Sequence, residues 1–299
     1  MKLVFIVGPT GTGKSNLAIN VANKINGEII SCDSMQIYKN MDIGTAKVSK
    51  REQELAKHHL IDVADPADTF DVSTYQKYAE NIIQNLFLEN KTPIFAGGTG
   101  LYVNSIIYPM SFSKNEKNEE LRNELKEYCE KYGVTALHKK LEELDVESAN
   151  KLHENDVKRV IRAIEIAVSG EKKSSLDEMK KPKYEYIMVG LNTDRALLYE
   201  RINRRVDLMF ENGLENEVKN LLSKGVRFDK QSMQAIGYKE FKGYFEGEIS
   251  IDDVKELIKK NSRNYAKRQI TWFKKYENIK WFDVSEIDEA SNYIINNLD

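Results

Sequence analysis

The sequence of 299 residues contains only two cysteines, Cys32 and Cys129, and they lie far apart in the chain. Neither belongs to a CxxC motif or to a cluster of cysteine and histidine. The sequence therefore argues against a zinc site and against a disulfide scaffold. We expect both cysteines to be small buried side chains.

A long apolar segment is also missing, since no run approaches the roughly 18 residues that a transmembrane helix needs. The first residues, MKLVFIVGPT, run directly into a glycine loop. A signal peptide would have a longer apolar core and a small-residue cleavage site. We therefore expect a cytoplasmic protein that is not attached to a membrane.

An excess of charge of one sign is missing as well, because the formal net charge is only −2. This value does not indicate a nucleic-acid partner, but basic residues can still be concentrated on one face. Residues 253–280 hold nine Lys or Arg against three acidic residues. On a helix over 251–276, a spacing of four residues would align Lys255, Lys259, Arg263 and Lys267 in one stripe. We expect this stripe to contact an RNA backbone.

Short apolar segments alternate with helical patterns through the first 112 residues. Strands are predicted at 3–7, 28–31, 59–63 and 93–98, and helices at 14–25 and 73–89. This alternation predicts an α/β fold with a doubly wound parallel sheet, like that of P-loop NTPases.

Residues 113–181 interrupt the alternation, because they are rich in Glu, Lys and Asn and show only helical periodicity. Strand patterns resume at 184–191 and 280–284, with helices from Arg195, over 251–276 and over 286–298. We therefore predict a core domain formed by residues 1–112 and 182–299, with a helical insertion domain at 113–181.

The segment GPTGTGKS at Gly8–Ser15 fits the P-loop pattern GxxxxGK[ST], between an apolar strand and an amphipathic helix. Glycines let backbone N–H groups surround phosphate oxygens, and the helix N-terminus adds partial positive charge. Lys14 supplies a full charge, and the Ser15 hydroxyl can reach a Mg²⁺ ion. The predicted polyphosphate site comprises Gly8, Pro9, Thr10, Gly11, Thr12, Gly13, Lys14 and Ser15.

An acidic residue at the end of the strand 93–96 is lacking, because Gly97, Gly98 and Thr99 follow it. ATPases and GTPases usually place a magnesium-binding Asp at such a position. Asp62, in the segment HLIDV, offers a weaker alternative. The missing acid weakens an NTPase interpretation without excluding it.

Asp33 opens the segment DSMQIYKNMDIGTAK, directly after the strand 28–31. Loops beyond the carboxyl ends of adjacent strands share one crevice in an open α/β sheet. We therefore expect Asp33 to lie near the P-loop, where it could bind a metal, orient a nucleophile or take its proton. A carboxylate that only caps a turn is the alternative.

The combination of these motifs resembles the tRNA dimethylallyltransferases, in the bacterial form that lacks a Cys/His zinc-finger extension. The resemblance extends over essentially the whole chain. Beyond the P-loop and the Asp33 segment it rests on AGGTGLY (96–102), HENDVKRVIRAIE (153–165), RINRRVDLM (201–209), QAIGYKE (234–240) and AKRQITWF (266–273).

The resemblance implies transfer of a dimethylallyl group from dimethylallyl diphosphate to N6 of adenosine 37 of tRNA, just 3′ of the anticodon. The P-loop then holds a leaving diphosphate, together with Mg²⁺. The family assigns the general base to Asp33, and a positioning role to Thr10. By its match to RINRRV, Arg205 adds a guanidinium to the leaving group.

The resemblance also implies where tRNA contacts the chain, including the insertion domain. The implied residues are Asp33, Ser34, Met35, Gln36, Thr99, Arg122, Lys158, Arg159, Val160, Ile161, Arg162, Gln234, Ala235, Ile236, Gly237, Tyr238 and Lys239. Without the family, the basic residues of 158–162 could equally be an ordinary solvated helix face. The sequence does not fix the oligomeric state, and we expect a monomer.

Three alternatives stay open from the sequence. A small-molecule nucleotide kinase would explain the P-loop but not DIGTAK or the basic segment at 253–280. An adenylate prenyltransferase would share the P-loop and Asp33, but the insertion at 113–181 favours tRNA over free AMP. A phosphate-binding RNA module without turnover would leave Asp33 without a task.

Overall fold

The computed structural model describes residues 2–110, 118–170 and 181–298. Parts of the predicted insertion domain, 113–117 and 171–180, lie outside the described residues. The chain divides into two compact units, which we call the core unit (Met1–Ile107 with Lys183–Asp299) and the helical unit (Tyr108–Pro182).

The core unit contains one six-stranded sheet among its described residues. All its strand pairs are parallel, in the order β3-β2-β4-β1-β5-β6. The strands are β1 (Leu3–Val7), β2 (Gly27–Ser31), β3 (His58–His59), β4 (Thr92–Gly97), β5 (Tyr186–Asn192) and β6 (Ile279–Asp283). The predicted parallel α/β sheet is therefore confirmed.

Helices connect these strands and cover the sheet. They are α1 (Lys14–Lys24), α2 (Lys50–Leu55), α3 (Val72–Leu88) and α4 (Gly100–Ile107), followed after the helical unit by α9 (Arg195–Glu211), α10 (Leu214–Ser223), α11 (Phe241–Phe245), α12 (Ile251–Phe273) and α13 (Ile287–Asn296). None of the described helices is long and apolar enough to cross a membrane.

The core of this unit forms because the central strands are apolar on both faces. All five residues of β1 are buried. Val4 and Ile6 belong to a cluster with Leu17 and Val21 of α1, while the Phe5 ring stacks on Phe95 at 4.9 Å. This two-sided burial fixes β1 at the centre of the sheet, with the glycine loop at its carboxyl end.

The third strand is shorter than predicted. It contains only His58 and His59, because Leu60 and Asp62 adopt positive φ angles of 60° and 56° that end the extended segment. Asp62 therefore does not follow a long strand. Its carboxylate forms an ion pair with Lys47 at 2.6 Å.

The helical unit contains α5 (Glu119–Tyr132), α6 (Val134–Leu144), α7 (Val146–Lys151) and α8 (Val157–Val168). Leucines of α5 and α6 pack with Val160 and Ile164 of α8 in a separate hydrophobic core. Over its described residues this unit contains helices and connecting turns but no strand, as the periodicity predicts.

Candidate active site

The candidate site lies at the carboxyl ends of β1, β4 and β2. The glycine loop leaves β1 at Gly8, and Asp33 follows β2. The sequence prediction treats these strands as neighbours, but β4 lies between them. The two loops nevertheless line one cavity, with Gly97 and Gly98 of the β4 loop between them.

The glycine loop is held in the open turn that a P-loop requires. Gly8 has a φ of +140°, and a Cβ there would lie 2.3 Å from the Leu191 carbonyl oxygen. Thr12 Oγ1 donates to the Pro9 carbonyl at 2.9 Å and closes the turn. No side chain caps α1, so its first N–H groups face the loop without a side-chain acceptor. This arrangement suits an anion.

Two cations converge on this loop. Lys14 Nζ donates to the Pro9 carbonyl at 2.6 Å, and Arg205 Nη1, from α9, donates to Thr10 Oγ1 at 2.7 Å. Within the described ranges, neither cation forms an ion pair with a carboxylate. Burial, together with the Arg205 charge, lowers the pKa of Lys14 to about 7. An anion bound here would relieve the repulsion between the two charges.

Asp33 is oriented by its own loop. Its Oδ1 accepts the Met35 N–H at 2.9 Å, and its own N–H donates to Ser31 Oγ at 3.3 Å. Its charge counteracts part of the lowering of the pKa of both Lys14 and Arg205. The carboxylate therefore lies within electrostatic reach of both cations.

The cavity has a volume of about 520 Å³ and unites charged and apolar walls. Lys14, Asp33 and Arg205 line its polar part. The α9 and α12 helices add the apolar side chains of Ile202, Val206, Met209 and Ile258. The cavity can therefore hold a small ligand that has an anionic head and an apolar tail.

Comparison with known proteins decides the family. Residues 36–276 match the IPP transferase family. The chain is 51% identical over 292 residues to the tRNA dimethylallyltransferase of Caldanaerobacter subterraneus subsp. tengcongensis, which covers 96% of this chain and 93% of that protein. It is 49% identical over 298 residues to the tRNA dimethylallyltransferase of Clostridioides difficile, covering 98% and 96%.

The chain belongs to the IPP transferase family.

Solved structures agree with this assignment. The full-length tRNA isopentenylpyrophosphate transferase of Bacillus halodurans is 42% identical, with a TM-score of 0.75 over 99% of this chain and 96% of that one. A eukaryotic dimethylallyltransferase captured acting on tRNA is 29% identical, with a TM-score of 0.83 over 98% of this chain and 77% of that one. The resemblance inferred from the motifs is therefore confirmed.

Most of the residues that the resemblance assigns to tRNA in the core unit of this IPP transferase face the cavity. Those lining it are Asp33, Ser34, Met35, Gln36, Gln234, Ala235, Ile236 and Lys239. Thr99 Oγ1 accepts the Ser34 N–H at 3.0 Å and so supports this wall. Tyr238 differs, because it is fully buried and its hydroxyl donates to Glu217 Oε1 at 2.6 Å.

In the helical unit, the residues assigned to tRNA fall into two groups. Lys158 and Arg159 are exposed, whereas Val160 and Ile161 belong to the hydrophobic core. Arg122 Nη2 and Arg162 Nη1 donate to the buried Glu165 carboxylate at 2.9 and 2.6 Å. An RNA contact of this segment would therefore depend mainly on Lys158 and Arg159.

Three residues of the basic stripe of α12 have partners on α9, and the predicted RNA contact of the stripe stays a prediction. Lys255 and Lys259 form ion pairs with Asp207 of α9 at 2.8 and 3.0 Å. Arg263 Nη1 donates to Asn203 Oδ1 at 2.5 Å. The charge count along one helix misses these pairs because Asp207 and Asn203 belong to another element.

The sequence analysis did not single out two side chains that hold the loops of the site in place. Gln269 of α12 touches both the glycine loop and the β4 loop, although the motif AKRQITWF contains it. Glu217 of α10 accepts the N–H groups of Asp42, Ile43 and Gly44 at 2.8, 2.8 and 3.0 Å. The signal available in the sequence was a polar residue, Gln269, at helical spacing from the apolar Ala266 and Phe273.

Proposed function

We propose that the protein transfers the dimethylallyl group of dimethylallyl diphosphate to N6 of the adenosine just 3′ of the anticodon in tRNA, and releases diphosphate. One observation carries the proposal: Lys14 and Arg205 meet at the glycine loop and share their cavity with Asp33. The names of the relatives, tRNA dimethylallyltransferases, favour this reaction over phosphoryl transfer.

The leaving group would be stabilised by the two cations. As the bond between C1 and the diphosphate oxygen breaks, negative charge grows on that oxygen. Lys14, Arg205 and the N–H groups at the start of α1 are placed to face it. Thr10 Oγ1 accepts a hydrogen bond from Arg205, which leaves the Thr10 hydroxyl hydrogen for the diphosphate.

The proton would leave through Asp33. The exocyclic amine of adenine is a weak nucleophile, so the new bond between N6 and C1 forms as a base removes one amine proton. Asp33 lies in the cavity, with its Oδ1 held by the Met35 N–H. The adenine must leave the base stack of the tRNA for its N6 to reach Asp33.

The oxygen ligands that the cavity offers fit a Mg²⁺ that is held mainly by the substrate. Over the ranges that the structure covers, no three His, Cys, Asp or Glu side chains cluster into a metal site. Ser15 lines the cavity, and its hydroxyl would supply one oxygen. Mg²⁺ commonly completes such a set with phosphate oxygens and water. Bound there, the ion would add positive charge at the leaving diphosphate.

The tRNA would enter along the wall formed by the Asp33 segment and the segment 234–239. Gln234 and Lys239 are exposed and line the cavity. Lys158 and Arg159 of the helical unit would add contacts to the RNA backbone. We propose that the protein acts as a monomer in the cytoplasm.

Donor kinetics test the assignment of the two cations. Lys14→Ala and Arg205→Ala should slow transfer and weaken donor binding, because both charges act on the diphosphate. Lys274→Ala, an exposed residue outside the cavity, is the matched control. The measurement is the rate against donor concentration at saturating tRNA. Normal donor kinetics with impaired tRNA affinity would reverse the assignment.

A nucleotide kinase and an adenylate prenyltransferase are tested in the same samples. A kinase would release ADP from ATP in the presence of a nucleoside monophosphate. An adenylate prenyltransferase would move the labelled prenyl group to free AMP. We expect no ADP, because Gly98 and Thr99 follow β4 where a kinase would carry an acidic residue, and because Asp62 pairs with Lys47. We expect no prenylated AMP, because the helical insertion favours tRNA over free AMP.

A further inference from the structure

Gln269 is a buried polar residue that bridges two loops of the site. Its side chain is 5% exposed, on the face of α12 that also buries Ala266 and Phe273. Gln269 Oε1 accepts the Thr10 N–H of the glycine loop at 3.2 Å, and Nε2 donates to the Gly98 carbonyl of the β4 loop at 3.0 Å. One amide therefore uses both of its ends to join these loops.

The contact with the β4 loop is close. A Cβ at Gly98 would lie only 1.9 Å from Gln269 Nε2, so any larger residue would displace the amide. The Thr10 N–H is also committed to Gln269. A diphosphate in this loop would therefore be held by the other N–H groups and by the two cations.

The bridge continues towards Asp33. Thr99, the residue after Gly98, donates its N–H to the carbonyl of Cys32, the residue before Asp33, at 2.9 Å. Thr99 Oγ1 accepts the N–H of Ser34, the residue that follows Asp33. Through Gly98 and Thr99 of the β4 loop, hydrogen bonds thus connect the loop that holds the leaving group to the loop that carries Asp33.

We propose that Gln269 is a positioning residue that fixes the glycine loop against the β4 loop and thereby sets the distance between the leaving group and Asp33. This inference rests on the proposed function. It adds the residue that aligns the leaving group with Asp33. This alignment matters because small displacements of reacting groups cost large factors in rate.

The first test is Gln269→Met, which keeps the length of the side chain but removes both hydrogen bonds. We expect the single-turnover rate of prenyl transfer to fall by about tenfold or more, because alignment is lost. The affinity for inorganic pyrophosphate should change by less than about threefold, because Lys14 and Arg205 remain. Thr271→Ala, at an exposed position of the same helix, is the matched control.

The conservative variant Gln269→Glu tests the hydrogen bonds directly. An ionised Glu keeps an acceptor for the Thr10 N–H but opposes the Gly98 carbonyl with a second oxygen. A protonated Glu donates to that carbonyl and restores the bridge. Its transfer rate relative to wild type should therefore be higher at about pH 6 than at about pH 8. A ratio that stays low at both values overturns the proposal.

Hydrogen exchange supplies a measurement that does not depend on prenyl transfer. In Gln269→Met, amides of the peptides covering 8–15 and 96–102 should exchange faster than in wild type, and Thr271→Ala should leave them unchanged. Unchanged exchange with an unchanged transfer rate overturns the proposal. So does a loss of rate, pyrophosphate affinity and melting temperature together, because that pattern indicates a merely structural role. Inactive wild type would instead refute the proposed function.

Discussion

Binding of a diphosphate should take up a proton at alkaline pH, because Lys14 is only partly protonated in the free protein. Burial, with the Arg205 charge as a second cause, lowers the pKa of Lys14 to about 7. A diphosphate beside Nζ favours the charged form and raises this pKa. Above about pH 7, binding must therefore take up one proton, and affinity must fall as pH rises.

The size of the effect follows from the fraction of Lys14 that is protonated before binding. With a pKa of about 7, about half of the molecules carry the charge at pH 7 and about 1% at pH 9. Affinity should therefore fall about 50-fold over this range. The free energy of unfolding depends on pH in the opposite direction to the affinity for diphosphate. Because the unfolded pKa of 10.5 is higher, the unfolded chain binds more protons between about pH 7 and 10.5, and stability rises with pH there.

Isothermal titration calorimetry with inorganic pyrophosphate measures this effect. Titration of the ligand itself cancels in the ratio of the dissociation constants of wild type and Lys14→Gln. This ratio should change by about 50-fold between pH 7 and 9, to the disadvantage of wild type, and proton uptake should appear as a buffer-dependent heat. A ratio constant within about threefold would show that Lys14 stays protonated, and would refute the reasoning.

Three further predictions concern the rest of the site. Asp33→Asn should leave the fold intact but lower single-turnover transfer by about 10²–10⁴-fold, and a rate within about threefold of wild type would show that Asp33 is not the base. Glu217→Ala should lower the free energy of unfolding by about 3 kcal/mol, because it leaves the loop N–H groups and the Tyr238 hydroxyl without their acceptor. Urea denaturation checks this, with the exposed Glu211→Ala as control. The third variant replaces Lys255, Lys259 and Arg263 of the stripe by Gln. The slope of log affinity for tRNA against log salt should change by less than about one unit, because these side chains already contact α9. A change of about two to three units would show that the stripe contacts the RNA backbone.

The sheet could be predicted from the sequence where the signal is local. The predicted strand 3–7 coincides with β1, and the glycine loop lies where its motif places it, because strand, turn and helix are consecutive in the chain. The position of β4 between β2 and β1 could not be predicted, since strand order depends on tertiary packing. The end of β3 was missed because an apolar segment does not reveal the positive φ of Leu60.

The candidate site was predicted in its charged groups but not in its supports. Lys14 and Asp33 belong to contiguous motifs, so their residue types alone indicate phosphate and proton chemistry. Gln269 and Glu217 act on loops more than 170 residues away along the chain, and only the fold brings them there. The ion pair of Lys259 could not be predicted for the same reason, because its partner Asp207 lies on a different helix.

The central claim is tested most directly by incubating the protein with C1-labelled dimethylallyl diphosphate, Mg²⁺ and an unmodified tRNA transcript. A second transcript, in which guanosine replaces the adenosine just 3′ of the anticodon, is the matched control. The account predicts label in the first tRNA at N6 of that adenosine, equimolar release of diphosphate, and no label in the second tRNA. Label in free AMP, equal label in both transcripts, or no transfer at all would contradict it.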